Sequence, residues 1–172
     1  RVCMAMALAC GSRLLIADEP TTALDVTIQA QILRLMLRLR EELAVAEIVI
    51  THNIGVAAQI CDRIAVMYAG CVVEDGSAVD VLRQPCHPYT IALIECLPHG
   101  RKVSELQSIP GGVPDLIAPP DGCRFHPRCA HVMDVCRGAK PERVEVDEEH
   151  WVACFWAAGD RRGRESNDGV KP

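Results

Sequence analysis

Residues 14–25, Leu-Leu-Ile-Ala-Asp-Glu-Pro-Thr-Thr-Ala-Leu-Asp, carry an apolar run into two adjacent carboxylates, Asp18 and Glu19, followed at once by Pro20 and a turn. If the run is a strand, negative charge appears where the chain leaves the core. One carboxylate there can hold a divalent cation and the other can take a proton from an attacking water, the chemistry of metal-assisted phosphoryl transfer. The same pair also suits a solvated turn or a helix start, where acidic side chains cap exposed amides. His52 follows a second apolar run, 47–51, and so falls at a second strand end. Alone, it reads first as a half-buried strand-end histidine.

A second candidate lies near the carboxyl end. Five residues separate Cys123 from Cys129, six separate Cys129 from Cys136 and seventeen separate Cys136 from Cys154. Four of the six aromatic residues, Phe125, Trp151, Phe155 and Trp156, lie within or beside this set. The segment therefore looks like a small cap around a metal centre. Four thiolates suit a structural zinc or an iron–sulfur cluster. The close cysteine pairs typical of zinc sites are missing, and the wider spacing leaves room for a cluster. His126, His131 and His150 keep a mixed zinc site open, and a metal-free cap is the third reading. The other six cysteines, Cys3, Cys10, Cys61, Cys71, Cys86 and Cys96, sit in apolar patterns and read as small buried hydrophobes.

These residues need elements to position them. Residues 2–10 read as the last turns of a buried helix stopped by Gly11, and 14–17 as a strand covered on both faces. In 26–43 the residues Ile28, Ile32, Leu33, Leu35, Met36, Leu39 and Leu43 recur at three- and four-residue spacing, which predicts an amphipathic helix. Residues 47–51 form a β-branched strand, so strand–helix–strand gives a crossover unit and an α/β domain. A short helix over 54–61, strands over 63–68 and 71–74, and a short helix from 78 follow. Of 11 prolines only Pro20 precedes Pro85, so composition places a boundary at 84/85. A helix over 89–97, extended chain over 98–122 and a disordered polar tail over 159–172 complete the expectation.

With 49% hydrophobic and 24% charged residues the chain is of the globular class, and its net charge of −5 gives nucleic acid no basic surface. The longest uncharged apolar run, 2–11, is far short of the roughly 18–20 residues a bilayer requires. No export signal is evident, and ten cysteines without one argue against a disulfide framework. The chain opens at Arg1 inside a helical pattern, which suggests a fragment.

Residues 14–25 resemble the Walker B motif and D-loop of an ABC-type ATPase, Thr51-His52 resembles its switch histidine, and 2–11 the helix after its signature motif. Gln84-Pro85-Cys86-His87-Pro88-Tyr89-Thr90, Ile109-Pro110-Gly111, the segment 122–129 and His150-Trp151-Val152-Ala153-Cys154 are similar to the carboxyl-terminal extension of oligopeptide/dipeptide ABC importer ATPases. The resemblance implies the carboxyl-terminal part of a P-loop, RecA-like nucleotide-binding domain over 1–84, a Pro/Cys-rich metal-binding extension over 85–158 and a tail beyond. It implies ATP as substrate, Asp18 on Mg²⁺, Glu19 as the base for water, His52 on the γ-phosphate and Asp25 at a dimer face. It further implies a [4Fe–4S] cluster on Cys123, Cys129, Cys136 and Cys154, with zinc as the alternative. Implied partners are transmembrane permease subunits, a second ATPase subunit of the same or different sequence and, indirectly, an extracytoplasmic solute-binding protein. The implied location is peripheral, on the cytoplasmic face of the plasma membrane.

Asn53 stands where that family often has Asp, and it keeps an acceptor there. No Gly-Lys dipeptide occurs in the 172 residues, so no Gly-x-x-x-x-Gly-Lys-Ser/Thr loop is present to cradle phosphates. The chain alone is therefore expected to bind nucleotide weakly and not to turn it over. Competing readings are a catalytically inert, metal-stabilised interaction fragment, an importer ATPase for nickel or another solute, and a DNA-repair or chromosome ATPase, which the acidic balance disfavours.

Overall fold

A computed structural model describes residues 2–97 and 108–159, and the chain divides into two compact units between Cys61 and Asp62. Of the expected tail over 159–172, residue 159 is helical and the rest, with part of the proline-rich stretch, 98–107, lies outside the described residues.

The first unit runs α1 (Val2–Leu8), β1 (Leu14–Asp18), α2 (Val26–Leu43), β2 (Ala46–Ile50) and α3 (Ile54–Ile60). β1 and β2 pair in parallel, Leu14 opposite Ala46 through Asp18 opposite Ile50, so both strands end at one edge. The crossover helix α2 starts at Asp25, whose carboxylate accepts from the amide of Ile28, and stops at Ala44 in the left-handed conformation. Its buried residues Ile32, Leu33 and Met36 form a core with Val56 and Ile60 of α3. Met36 has no exposed surface, and burying a side chain of that size contributes about 1.5–3 kcal/mol.

Two expectations change in this unit. The sheet was expected to be covered on both faces. Ala17 and Val49 pack against the α2–α3 core, whereas Leu14, Ile16, Ile48 and Ile50 stay exposed on the other face. The helices pack on one side, and among the described residues no element covers the opposite one. Likewise α1 has no buried residue and Cys3 and Cys10 are exposed, although Met4 packs against the core.

The second unit runs β3 (Arg63–Tyr68), β4 (Cys71–Ser77), α4 (Ala78–Arg83), α5 (Pro88–Glu95), a 3₁₀ turn (His126–Arg128), α6 (Val135–Gly138), β5 (Val144–Asp147) and β6 (His150–Val152). Residues 155–159 are helical. The four strands form an antiparallel sheet in the order β3-β4-β6-β5. Ala69 and Gly70 link β3 to β4 with φ of +48° and +79°, the double positive φ of a tight hairpin turn that suits right-twisted strands. Proline content divides the chain at 84/85, but hydrogen bonding does not: β4 pairs with β6, so a strand before Pro85 is completed by one after it. Among the described residues no helix is long and apolar enough to cross a membrane.

Candidate functional site

The parallel register brings the ends of β1 and β2 together. The amide of Glu19 donates to the carbonyl of Ile50 at 2.8 Å, which extends the ladder one residue past β1. Glu19 then takes a φ of +47°, and Ala23 in the same turn takes +61°. Positive φ at a residue with a Cβ is strained and persists where surrounding contacts enforce it. Here they do. Oε1 of Glu19 accepts from the backbone amide of His52 at 3.0 Å and lies 2.7 Å from its Nδ1, while Oε2 accepts from the hydroxyl of Thr22 at 2.9 Å.

The bond from His52, above all, holds the Glu19 carboxyl below the ordinary carboxylate range, because hydrogen bonds to the charged form favour it. His52 keeps 82% of its side chain exposed. With Nδ1 on Glu19, Nε2 is the ring nitrogen available to a second group. Asp18 is the last residue of β1 and is exposed. Asp25 is not drawn into the Glu19–His52 pair, since its Oδ1 caps α2 at 3.0 Å from the Ile28 amide. Asn53 caps α3, its Oδ1 accepting from the amides of Gly55 and Val56.

In the second unit Cys123 and Cys129 pack against one core cluster and Cys154 belongs to another. The amide of Cys123 donates to the carbonyl of Cys136 at 2.9 Å. Gly122, at φ +68°, allows that approach, because a Cβ there would run into the same carbonyl. The Cys123 thiol feels Cys136, that of Cys129 feels Cys123 and Cys136, and that of Cys154 feels Cys129 and Cys123. Burial raises all three, Cys154 to about 11. Backbone amides oppose it: Phe125 and His126 at Cys123, His131 at Cys129, Trp156 and Ala157 at Cys154. The sulfurs thus receive N–H bonds, but among the described residues no three of them come together as a ligand group for a single metal ion.

The histidines beside them are engaged elsewhere. Nδ1 of His126 bonds the Cys123 carbonyl at 2.9 Å, and the His131 ring stacks on Trp156 at 4.1 Å. Of the aromatics, Phe125 belongs to the cluster against which Cys123 and Cys129 pack, and Trp156 packs against the cluster of Cys154. Phe125 is buried against Tyr68 and Tyr89, with ring centroids 5.1 and 5.4 Å away, and Trp151 lies under Arg143.

A third group escaped sequence reasoning. Glu74 of β4 is 1% exposed, as are His150 of β6 and His87 before α5. Oε1 of Glu74 lies 2.8 Å from Nε2 of His150 and accepts from the amide of Cys86 at 2.7 Å, while Oε2 accepts from the amide of His87 at 2.9 Å. The carboxylate thus pins the turn into α5 to the central strand pair. A lone Glu at a strand end carries no sequence signal of this. His87 caps α5 through Nδ1 to the amide of Tyr89, and burial lowers its pKa to about 4.

Residues 73–136 match the model of a family described as the oligopeptide/dipeptide transporter, C-terminal region. The oligopeptide transport ATP-binding protein OppD of Salmonella typhimurium is 53% identical over 142 residues, which is 82% of this chain and 42% of that protein. Residues 73–136 thus carry the C-terminal region of the oligopeptide/dipeptide transporter family, and most of the chain is similar to ATP-binding proteins of such transporters. OppD of Escherichia coli is 52% identical over 90% of the chain and 46% of its own length, and the dipeptide transport ATP-binding protein DppD of Haemophilus influenzae is 50% identical over 83% and 43%. The chain therefore spans less than half the length of these relatives. Within the matched family region lie Glu74, His87 and three of the four cysteines, Cys123, Cys129 and Cys136.

Proposed function

We propose that this chain supplies the water-activating half of an ATP-hydrolysing site in a subunit that powers import of oligopeptides or dipeptides. The observation that carries this reading is the Glu19–His52 pair, a carboxylate and an imidazole held 2.7 Å apart at two adjacent strand ends. α/β sheets bind ligands outside the carboxyl ends of their strands. Glu19, ionised and braced by Thr22 and His52, orients the attacking water and takes its proton. His52 turns Nε2 toward the γ-phosphate and stabilises charge that develops in transfer. Asp18 offers an oxygen ligand for Mg²⁺, which when bound neutralises phosphate charge. Asp25, besides capping α2, lies at the face where a second ATPase subunit docks. With no Gly-Lys in the 172 residues, the phosphates are held by groups outside them.

In the same reading Cys123, Cys129, Cys136 and Cys154 hold a [4Fe–4S] cluster with a structural role, with zinc as the alternative occupant. The Cys123 amide bonded to the Cys136 carbonyl, the His131 amide aimed at the Cys129 sulfur and the packing of Cys123 and Cys129 against one cluster support this reading. The working assembly includes transmembrane permease subunits and, indirectly, an extracytoplasmic solute-binding protein, with this subunit on the cytoplasmic membrane face. Glu19→Gln introduced at the chromosomal locus is expected to abolish uptake of labelled di- or oligopeptides. Undiminished uptake in that strain contradicts the proposal.

A further inference from the structure

Glu74, Cys86 and His150 place one carboxylate oxygen, one sulfur and one imidazole nitrogen within 4.8 Å of one another. None of the three belongs to the four-cysteine set, and the Glu19–His52 chemistry uses none of them. We propose that they form a second, independent site for a single Zn²⁺ ion.

The donor chemistry fits. Zinc accepts sulfur, nitrogen and oxygen ligands together, at about 2.0–2.3 Å, in tetrahedral sites. Glutamate and cysteine thiolate bring two negative charges, and histidine is neutral, so the dication is balanced inside a buried pocket, where an unbalanced ion is costly. The ligands and the groups that hold them are already in place. Glu74 and His150 come from paired strands, with Glu74 opposite Val152, and each is 1% exposed. The amides of Cys86 and His87 hold the Glu74 carboxylate in place, the kind of outer support that orients metal ligands. Gly76 gives the His150 ring its room, since a Cβ there would lie 3.0 Å from the ring.

Entry of the ion is a proton exchange. The proton shared in the 2.8 Å contact between Nε2 of His150 and Oε1 of Glu74 leaves, while the ring keeps its other proton on Nδ1, so that a neutral imidazole and an ionised carboxylate face the ion. The Cys86 thiol proton, now directed to the carbonyl of Gln84 at 3.4 Å, leaves as well. Zn²⁺ takes both places, and affinity therefore rises with pH. Cys86 is only partly buried, which opens the fourth coordination position toward solvent. Three protein ligands plus one open position distinguish this site from a closed four-cysteine site.

The test is peptide-resolved alkylation of the full 172-residue chain by iodoacetamide, with and without one equivalent of added Zn²⁺ and with chelator reversal. Zn²⁺ is expected to slow Cys86 alkylation at least tenfold in the wild-type chain, reversibly, and to leave the rate unchanged in His150→Gln, which keeps a hydrogen-bond donor to Glu74. An unchanged Cys86 rate in the wild-type chain, or equal protection in a folded His150→Gln chain, overturns the proposal. Co²⁺ gives a second readout that needs no His150 variant: a sulfur-to-metal band in wild type that is lost in Cys86→Ala, while metal at the four-cysteine set is unchanged. A Co²⁺ spectrum identical in wild type and Cys86→Ala overturns it equally.

Discussion

Oε1 of Glu19 receives both the backbone amide and the ring Nδ1 of His52, a residue 33 positions away. Two bonds from one residue fix the carboxylate in rotation as well as position. The imidazole and the carboxylate are therefore one unit, and the positive φ of Glu19 is the local strain that unit holds in place.

Asp25 has a measurable structural role apart from any subunit contact. Loss of an N-cap carboxylate costs about 0.5–2 kcal/mol. Asp25→Ala is expected to lower the thermal midpoint and Asp25→Asn to leave it nearly unchanged, since the amide oxygen still accepts from Ile28. Equal destabilisation by both, measured by circular dichroism, would remove the cap from the account.

His87 makes stability depend on acid. Its folded pKa of about 4 lies below the ordinary value of 6.5 because burial disfavours the charged ring. The neutral form is favoured on folding, so this contribution is fully present above pH 6.5 and is lost as pH falls toward 4. Linkage puts the loss at order 3 kcal/mol. His87→Asn retains a cap acceptor for Tyr89; it is expected to be less stable at pH 7 but to show a shallower decline over that window in urea melts.

The four-cysteine reading predicts metal content. Cys136→Ser is expected to lose most of the iron, or of the zinc if that ion is the occupant, and to unfold at lower temperature. Cys3→Ser, at an exposed position, keeps both. Equal metal in the two variants after anaerobic purification removes Cys136 from the ligand set.

Much of the architecture is legible in the residues. The spacing of Ile32, Leu33 and Met36 gave the span of α2, residues 26–43, and β3 over 63–68 was equally plain. β4 runs three residues past the expected 71–74 because antiparallel pairing continues to Ser77 opposite Arg63. β5 and β6 were not read at all. Three residues of β6 are too short for a periodic signal, and cysteines and aromatics nearby pointed to a cap. Asp18, Glu19 and His52 could be found because apolar runs end at them. Glu74 could not, since its burial arises only when β6 and the turn at Cys86 close over it. The exposed face of β1 and β2 is the converse case, in which apolar residues implied a covering that no described element provides.

The unity of Glu19 and His52 is tested most directly by a double-mutant cycle on single-turnover ATP hydrolysis, with a phosphate-binding loop supplied in cis to this segment. Each of Glu19→Gln and His52→Ala is expected to slow the chemical step about 10²–10³-fold while leaving ATP affinity within a few-fold of wild type. The double variant is expected to be no slower than the slower single one, as groups that act together are non-additive. Losses that multiply, or a Glu19→Gln protein that hydrolyses ATP at the wild-type rate, would contradict the account.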